Sequence, residues 1–290
     1  MPLLSVVTIT YNHAQYIGKC IEGVLMQRVN FPMEFIIAED CSTDETRSIC
    51  VKYAKRYPNL IRLIVSDANV GVLANERRAF EAVRGKYVAY CEGDDYWTDP
   101  LKLQRQVDFL ESHPDYSVCF HRCLHYDVSS RKMKDDLAGE LFANGDETAI
   151  ITLDSFFKQW VTQPLSMVYR QSMFDYKVAE KYVYYRDMHQ IYHLLKNGSG
   201  CLMSFIGGIR TIHEGGMVSK SSNKERCKIG VNISKELYTN NHDKFTKEYY
   251  ADTLQWNIDE HIHVFAYSIR LFLLSGNVKK FVKNCLRNLF

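Results

Sequence analysis

Over roughly its first hundred residues the chain alternates between two hydrophobic periods, and this alternation restricts its fold more than any other feature. Leu3 to Ile9 is a short, mostly apolar run rich in β-branched side chains, the composition of a strand buried on both faces. From Ala14 to Gln27 the apolar residues Tyr16, Ile17, Cys20, Ile21, Val24 and Leu25 recur at helical spacing. Met33 to Ala38, Leu60 to Val65 and Lys86 to Cys91 repeat the strand pattern. Thr43 to Tyr57, opened by Ser42 and Asp44, and Val72 to Val83, closed by Arg84 and Gly85, repeat the helical one. The expectation is an α/β domain, a mostly parallel sheet flanked by helices and joined by right-handed crossovers.

Ligands of such sheets collect at the carboxyl ends of the strands. Those ends here carry Thr10-Tyr11-Asn12, Glu39-Asp40 and Glu92-Gly93-Asp94-Asp95, so all three groups are expected to rim one crevice. Three carboxylates in a row of four residues repel one another and raise each other's pKa. A hard divalent cation reverses that penalty, and carboxylates with phosphate oxygens are natural ligands for Mg²⁺ or Mn²⁺. Taken alone, the same acids also suit a solvated turn that caps the next helix.

Beyond Asp95 the pattern is mixed. Leu101 to Ser112 reads as a helix with Asp99 as cap and Pro100 in the first turn, and Tyr116 to Val128 as a strand. Ser129 to Glu147 is polar and loop-rich, Leu153 to Trp160 helical, Leu165 to Tyr169 extended, and Met188 to Lys196 helical. From about Glu225 the segments read as helices, broken near Asn240-Asn241 and Gly276-Asn277. A chain of 290 residues that is 46% hydrophobic and 24% charged can bury a sizeable core. Its 36 Lys and Arg against 34 Asp and Glu leave a charge of +2, without the strong basicity of a bulk nucleic-acid binder. Nine scattered Cys with no C-x-x-C pair, and a start without a basic-then-apolar leader, imply free thiols in a reducing cytoplasm.

The motifs in order are Ser5 to Asn12, Ile36 to Asp44, Asn69-Val70-Gly71 with Asn75, Gly85 to Val88, and Glu92 to Asp95 with Pro100. In sequence and spacing they resemble the inverting family 2 glycosyltransferases of the GT-A fold, of the kind that builds bacterial surface polysaccharides. The resemblance is strong over about the first 115 residues and weaker over the next hundred. It implies a GT-A-like catalytic domain over residues 1–215, with nucleotide-sugar binding in 1–115 and the acceptor side in 116–215. A lid segment and a helical C-terminal region would fill residues 216–290. It implies transfer of a sugar, with inversion, from a nucleoside-diphosphate donor to a saccharide or lipid-linked saccharide acceptor, with Mn²⁺ or Mg²⁺ as cofactor.

The same resemblance assigns roles. Tyr11 lies against the nucleoside base and Asp40 accepts a hydrogen bond from a uracil-like ring, with Thr10, Asn12 and Asn69 completing the donor-binding set. Asp94 holds the metal, while Glu92 and Asp95 support it or the donor's ribose and sugar. Glu92 stands where the family usually has Asp. Asp187, in Tyr184-Tyr185-Arg186-Asp187-Met188-His189, matches the place of the family's general base, although Arg186 and Met188 depart from the usual flanks. His213, in Ile212-His213-Glu214-Gly215-Gly216 with Ser219 beyond, matches the closing histidine segment and is a second candidate metal ligand.

Two further features have competing readings. Cys119, His121, Cys123 and His125 alternate along one expected strand, an arrangement too extended to close a tetrahedron about zinc, so a core lining is preferred. The tail from Val264 to Phe290 mixes apolar residues with Arg270, Lys279, Lys280, Lys283 and Arg287. It suits peripheral contact with an anionic membrane at the inner face of the plasma membrane, or a helix packed on the protein itself or on a second subunit. Among other classes, sugar nucleotidyl transfer would want a Gly-rich phosphate loop after the first strand, and Thr10 to Gln15 has no glycine. A sugar-nucleotide binder without turnover is the non-enzymatic alternative.

Overall fold

The structure, a computed structural model, describes residues 1–216 and 222–257; Ser219 and the tail beyond 257 lie outside them. The expected alternation is realised. Strand β1 (Leu4–Thr10) is buried at every residue and pairs in parallel with β2 (Met33–Glu39) and β4 (Tyr87–Tyr90), while β2 pairs in parallel with β3 (Ile61–Val65). Helices α1 (Ile17–Leu25), α2 (Thr46–Arg56) and α3 (Val72–Glu81) form the crossovers. Helix α1 buries Ile17, Cys20, Ile21 and Val24, the stripe its spacing predicts. Each aliphatic side chain so covered contributes roughly 1.5–3 kcal/mol.

At the amino ends of these strands, buried Glu34 takes hydrogen bonds from Ser5 Oγ (2.6 Å) and from Arg84 Nε (3.0 Å) and Nη2 (2.6 Å). Burial raises the Glu34 pKa, but the Arg84 and Ser5 hydrogen bonds outweigh it and hold the carboxyl below its ordinary value. A carboxylate is thus buried without an orphaned charge, and the polar end of the sheet is closed.

The second half of the sheet is mixed in direction. Strand β9 (Val168–Arg170) runs antiparallel to β4 and to β6 (Tyr116–Asp127), which in turn runs parallel to β10 (Ser199–Ile212). The free edge of β10 is covered in two pieces, by β8 (Thr148–Ile151) on its first half and by β5 (Tyr96–Trp97) on its second. The hairpin strand β7 (Lys132–Lys134) covers part of β6, so the region expected to be loop carries a short strand of its own. The sheet order is β3-β2-β1-β4-β9-β6-β10-β5. Helices α4 (Lys102–Ser112), α5 (Leu153–Lys158) and α6 (Asp187–Asn197) fall where helical periodicity predicts them. The 14-residue β10 has no counterpart among the sequence expectations.

By its contacts the chain divides into two units, Met1–Glu180 with Asp187–His213, and Lys181–Arg186 with the residues after His213. In the second unit, α7 (Asn223–Asn241) begins with a capping box between Ser222 and Glu225. Its Glu236 accepts from the N–H groups of Val183 (3.1 Å) and Tyr184 (2.9 Å). A further helix runs over the described residues 244–257. No helix among the described residues is long and apolar enough to cross a membrane. The eight described cysteines are free thiols.

Candidate active site

Every functional side chain predicted from the sequence, other than those outside the described residues, falls in the first unit. The loops after β1 and β2 are stitched together. Asn12 (φ 55°) and Cys41 (φ 57°) both turn in the left-handed region, where side chains other than Gly, Asn and Asp are rare. Asn12 N–H donates to Ser42 Oγ (3.0 Å), and Asn12 Oδ1 accepts from Thr43 N–H (2.8 Å). His13 N–H donates to Thr46 Oγ1 (2.8 Å) and Ala14 N–H to Asp44 Oδ2 (3.0 Å). Buried Glu39 accepts from Ser42 N–H (2.6 Å) and from Arg47 Nε (2.5 Å). The ring of Tyr11 is left exposed above these loops.

Asp40 holds a third loop. Its Oδ1 accepts from Val70 N–H (2.8 Å), its Oδ2 from Gly71 N–H (3.0 Å), and its carbonyl from Asn69 Nδ2 (3.2 Å). Gly71 sits at φ 84°, a conformation that favours glycine, and opens α3 directly from that turn. Asn75, one turn into α3, donates to the Ala38 carbonyl at 2.9 Å and fastens the helix to β2. Asp40, itself buried, therefore ties the turn before α3 to the end of β2 through its backbone partners.

The acidic loop follows β4 and is pinned on both sides. Gly93 N–H donates to the Ile9 carbonyl of β1 (3.1 Å), and Asp95 Oδ1 accepts from Thr211 N–H of β10 (2.8 Å). A methyl at Gly93 would stand 2.7 Å from Thr10 Oγ1 and 2.9 Å from His13 Nδ1, so only glycine lets the loop lie this close to β1. Asp94 is reached by two histidines. His213 Nε2 lies 3.0 Å from Asp94 Oδ2 and His13 Nε2 lies 4.0 Å from the same oxygen. The ring of Tyr16 flanks His213 at 4.6 Å between centroids.

The environments of the acids differ. Burial, then the charges of Asp94, Asp187 and Glu76, push the Glu92 carboxyl up to about 8. Burial, then Asp94 and Glu92, hold the Asp95 proton well above the ordinary range. Burial raises Asp94 as well, but the hydrogen bond with His213 and the charge of His13 outweigh it and leave its pKa lowered. Burial also lowers His13, against the opposing pull of Asp94, which favours a neutral imidazole with a free lone pair. Asp187 begins α6, with its Oδ1 accepting from Met188 N–H at 2.9 Å, and its charge is felt at Glu92.

Two groups among the described residues place potential ligand atoms within 4.8 Å of one another: His13, Asp94 and His213, and Glu92, Asp94 and Asp95. The alternating thiols and imidazoles of β6 form no such group there. Crowded carboxylates and two imidazoles around one charged Asp94 form a donor set that fits a divalent cation.

The sequence profile described as glycosyl transferase family 2 matches residues 5–182, more than half of the chain. The chain belongs to glycosyl transferase family 2. It is 52% identical over 118 residues to an uncharacterized protein of Mycobacterium tuberculosis, a segment that is 41% of this chain and 34% of that protein. It is 38% identical over 110 residues to TuaG of Bacillus subtilis, whose name assigns it to teichuronic acid biosynthesis as a glycosyltransferase; 38% of this chain and 42% of TuaG are covered. The chain thus spans well under half the length of these relatives. Among solved structures, Staphylococcus aureus TarS in complex with UDP-GlcNAc superposes with a TM-score of 0.64 over 99% of this chain and 79% of that one, at 18% identity. The Pyrobaculum calidifontis mannosyltransferase PcManGT, in complex with GDP-Man and Mn²⁺, gives 0.58 at 14% identity over 100% and 87%. These likenesses show the GT-A fold.

In this family 2 chain the predicted residues separate into three kinds of position. Asp94 meets His213 at 3.0 Å and stands within 4.8 Å of Glu92, Thr10 packs against Gly93, and Asp187 is near enough for its charge to raise Glu92. Asn12, Asn69 and Asp40 bind loop to loop, and Asp95 binds the acidic loop to β10. Tyr11 is the exposed ring. The sequence reading missed His13, Thr211 and Glu76. His13 follows Asn12 directly, so the rule that ligands meet at strand ends already reached it.

Proposed function

We propose that this chain moves one sugar from a nucleoside-diphosphate donor, UDP-linked, to a hydroxyl of a saccharide or lipid-linked saccharide, with inversion, in bacterial surface-polysaccharide assembly. The observation that carries this reading is the 3.0 Å approach of His213 to Asp94 at the carboxyl ends of parallel strands. Asp187, whose charge is felt at Glu92, supplies the second acid that an inverting displacement needs. The uridine reading draws on TarS, solved with UDP-GlcNAc, and the polysaccharide setting on the name of TuaG.

Asp94 and His213 would hold the divalent cation, Mn²⁺ or Mg²⁺. When bound there, the cation supplies positive charge to the diphosphate as the sugar leaves it. Asp187 takes the proton of the acceptor hydroxyl; its place at the amino end of α6 favours the carboxylate that a base requires. Glu92, raised to about 8 in the metal-free protein, can hydrogen-bond a sugar or ribose hydroxyl in either protonation state. Tyr11 lies against the base, and Asp40 reads its edge while fixing the loop around it.

Calorimetric titration of UDP and GDP, with and without Mn²⁺, tests the donor site on the wild type and Asp94→Ala. UDP binding that requires Mn²⁺ and is lost in Asp94→Ala is expected. Asp187→Asn should keep that binding and lower turnover about 10²- to 10⁴-fold, the usual worth of a general base. Donor uptake by the wild type without release of free diphosphate would favour the non-catalytic binder. Absence of nucleotide binding in every condition would remove the proposal.

A further inference from the structure

We propose that His13 is a third protein ligand to the divalent cation of this site, completing with Asp94 and His213 a set of two imidazoles and one carboxylate that favours Mn²⁺ or Co²⁺ over Mg²⁺. The inference rests on the metal-dependent reading above and adds a residue and a metal preference to it.

The placement of His13 is fixed on every side. Its N–H donates to Thr46 Oγ1 at 2.8 Å, and its carbonyl accepts from the N–H groups of Tyr16 and Ile17, each at 2.8 Å. These bonds anchor the backbone at the entrance to α1. The inner edge of the ring lies against Gly93, where a methyl would stand 2.9 Å from Nδ1. That Nδ1 is buried and has no hydrogen-bond partner. The outer nitrogen, Nε2, faces Asp94 Oδ2 at 4.0 Å, too far for a hydrogen bond. A packed imidazole that stops short of a partly exposed carboxylate leaves a gap with ligand atoms on both sides.

The two distances from Asp94 are compatible with a shared ion. Two atoms bound to one cation at about 2.1 Å stand at most about 4.2 Å apart. His213 Nε2 to Asp94 Oδ2, at 3.0 Å, and His13 Nε2 to the same oxygen, at 4.0 Å, both fall inside that limit. The two imidazole rings lie 6.1 Å apart with their planes at 88°. Chemistry then sets the preference. Mg²⁺ takes oxygen ligands and keeps its waters, whereas imidazole nitrogen strengthens binding of first-row transition ions. Of the other acids of the loop, Asp95 is bonded to Thr211 N–H of β10.

The test counts nitrogens. Pulsed EPR of Mn²⁺ bound to the full chain, with and without isotopically labelled histidine, should report two imidazole couplings in the wild type and one in His13→Ala. Titration calorimetry should find Mn²⁺ bound at least about tenfold more tightly than Mg²⁺ in the wild type, with that ratio falling at least about tenfold in His13→Ala. His13→Asp should recover affinity while shifting preference toward Mg²⁺. A single nitrogen coupling in the wild type overturns the proposal. So does a folded His13→Ala that keeps wild-type Mn²⁺ affinity. If His13→Ala does not fold, the wild-type spectrum and His13→Asp carry the test. Loss of metal binding in Asp94→Ala but not in His13→Ala would remove only the role of His13. Metal and UDP binding that survive Asp94→Ala would remove the parent reading.

Discussion

Glu92 and Asp94 stand two residues apart in one loop, yet their surroundings push their protons in opposite directions. Glu92 is raised to about 8 by burial and by Asp94, Asp187 and Glu76, while the His213 hydrogen bond and His13 overcome burial at Asp94. Pairs of acids separated in this way divide the roles of charged ligand and neutral donor. The split has a measurable consequence for the metal-free protein. Between the ordinary carboxyl value of 4.5 and about 8, folded Glu92 keeps a proton that the unfolded chain has lost. The native state then binds more protons, so stability falls as pH rises through that window, by at most about 1.4 kcal/mol per pH unit. Glu92→Gln removes the titrating group. Denaturant unfolding of the metal-free protein at several values between pH 5 and 8 should show a shallower decline in the variant, and parallel declines in the two proteins would refute the assignment.

At the scale of elements, β10 decides whether the site closes. It is a long strand whose pairing with β6 shifts register between Met203 and Ile206 and again between Ile206 and Gly208. Just past these irregularities it meets the acidic loop through Asp95 and Thr211, and His213 follows two residues later. Asp95 therefore ties the acidic loop to the strand end that leads to His213. Asp95→Ala leaves the Thr211 N–H without its acceptor, at a cost of about 1–3 kcal/mol, and frees the strand end, so Mn²⁺ affinity should fall with stability. Asp95→Asn keeps an acceptor oxygen and should retain both. Thermal melts and Mn²⁺ titrations of the two variants separate this from a direct donor contact, which would lose UDP affinity in Asp95→Asn as well. The same strand marks where sequence reasoning stopped. Strands β1 to β4 were legible because each is a short, mostly apolar run and the first three are followed by a helical segment, and their ends named Thr10, Asp40 and the acidic loop. Strand β10 carries Gly207-Gly208 and polar residues at its bulges, and it borrows cover from Tyr96-Trp97 more than a hundred positions earlier, so no local period announces it. His213 was reached through resemblance to the family, whereas His13 needed the packing against Gly93 to distinguish it from an ordinary loop histidine.

For the whole molecule, the site residues all belong to the first unit, Met1–Glu180 with Asp187–His213, and ligands that bind them stabilise the native form of that unit. A ligand at a hundred times its dissociation constant adds about 2.7 kcal/mol. For a unit of this size that corresponds to a rise in melting temperature of roughly 5–10 °C. Saturating UDP with Mn²⁺ should produce such a shift in scanning calorimetry. If the two units unfold separately, the transition that moves should be that of the first. Mn²⁺ alone should shift it more at pH 8 than at pH 6, because the cation then also relieves the repulsion that Glu92 adds as it loses its proton. UDP alone should do little, since its diphosphate would meet Asp94 without an intervening positive charge. A transition moved by UDP in the absence of metal, and unmoved by Mn²⁺ at either pH, would mean that the acids of this loop serve the fold and not the donor.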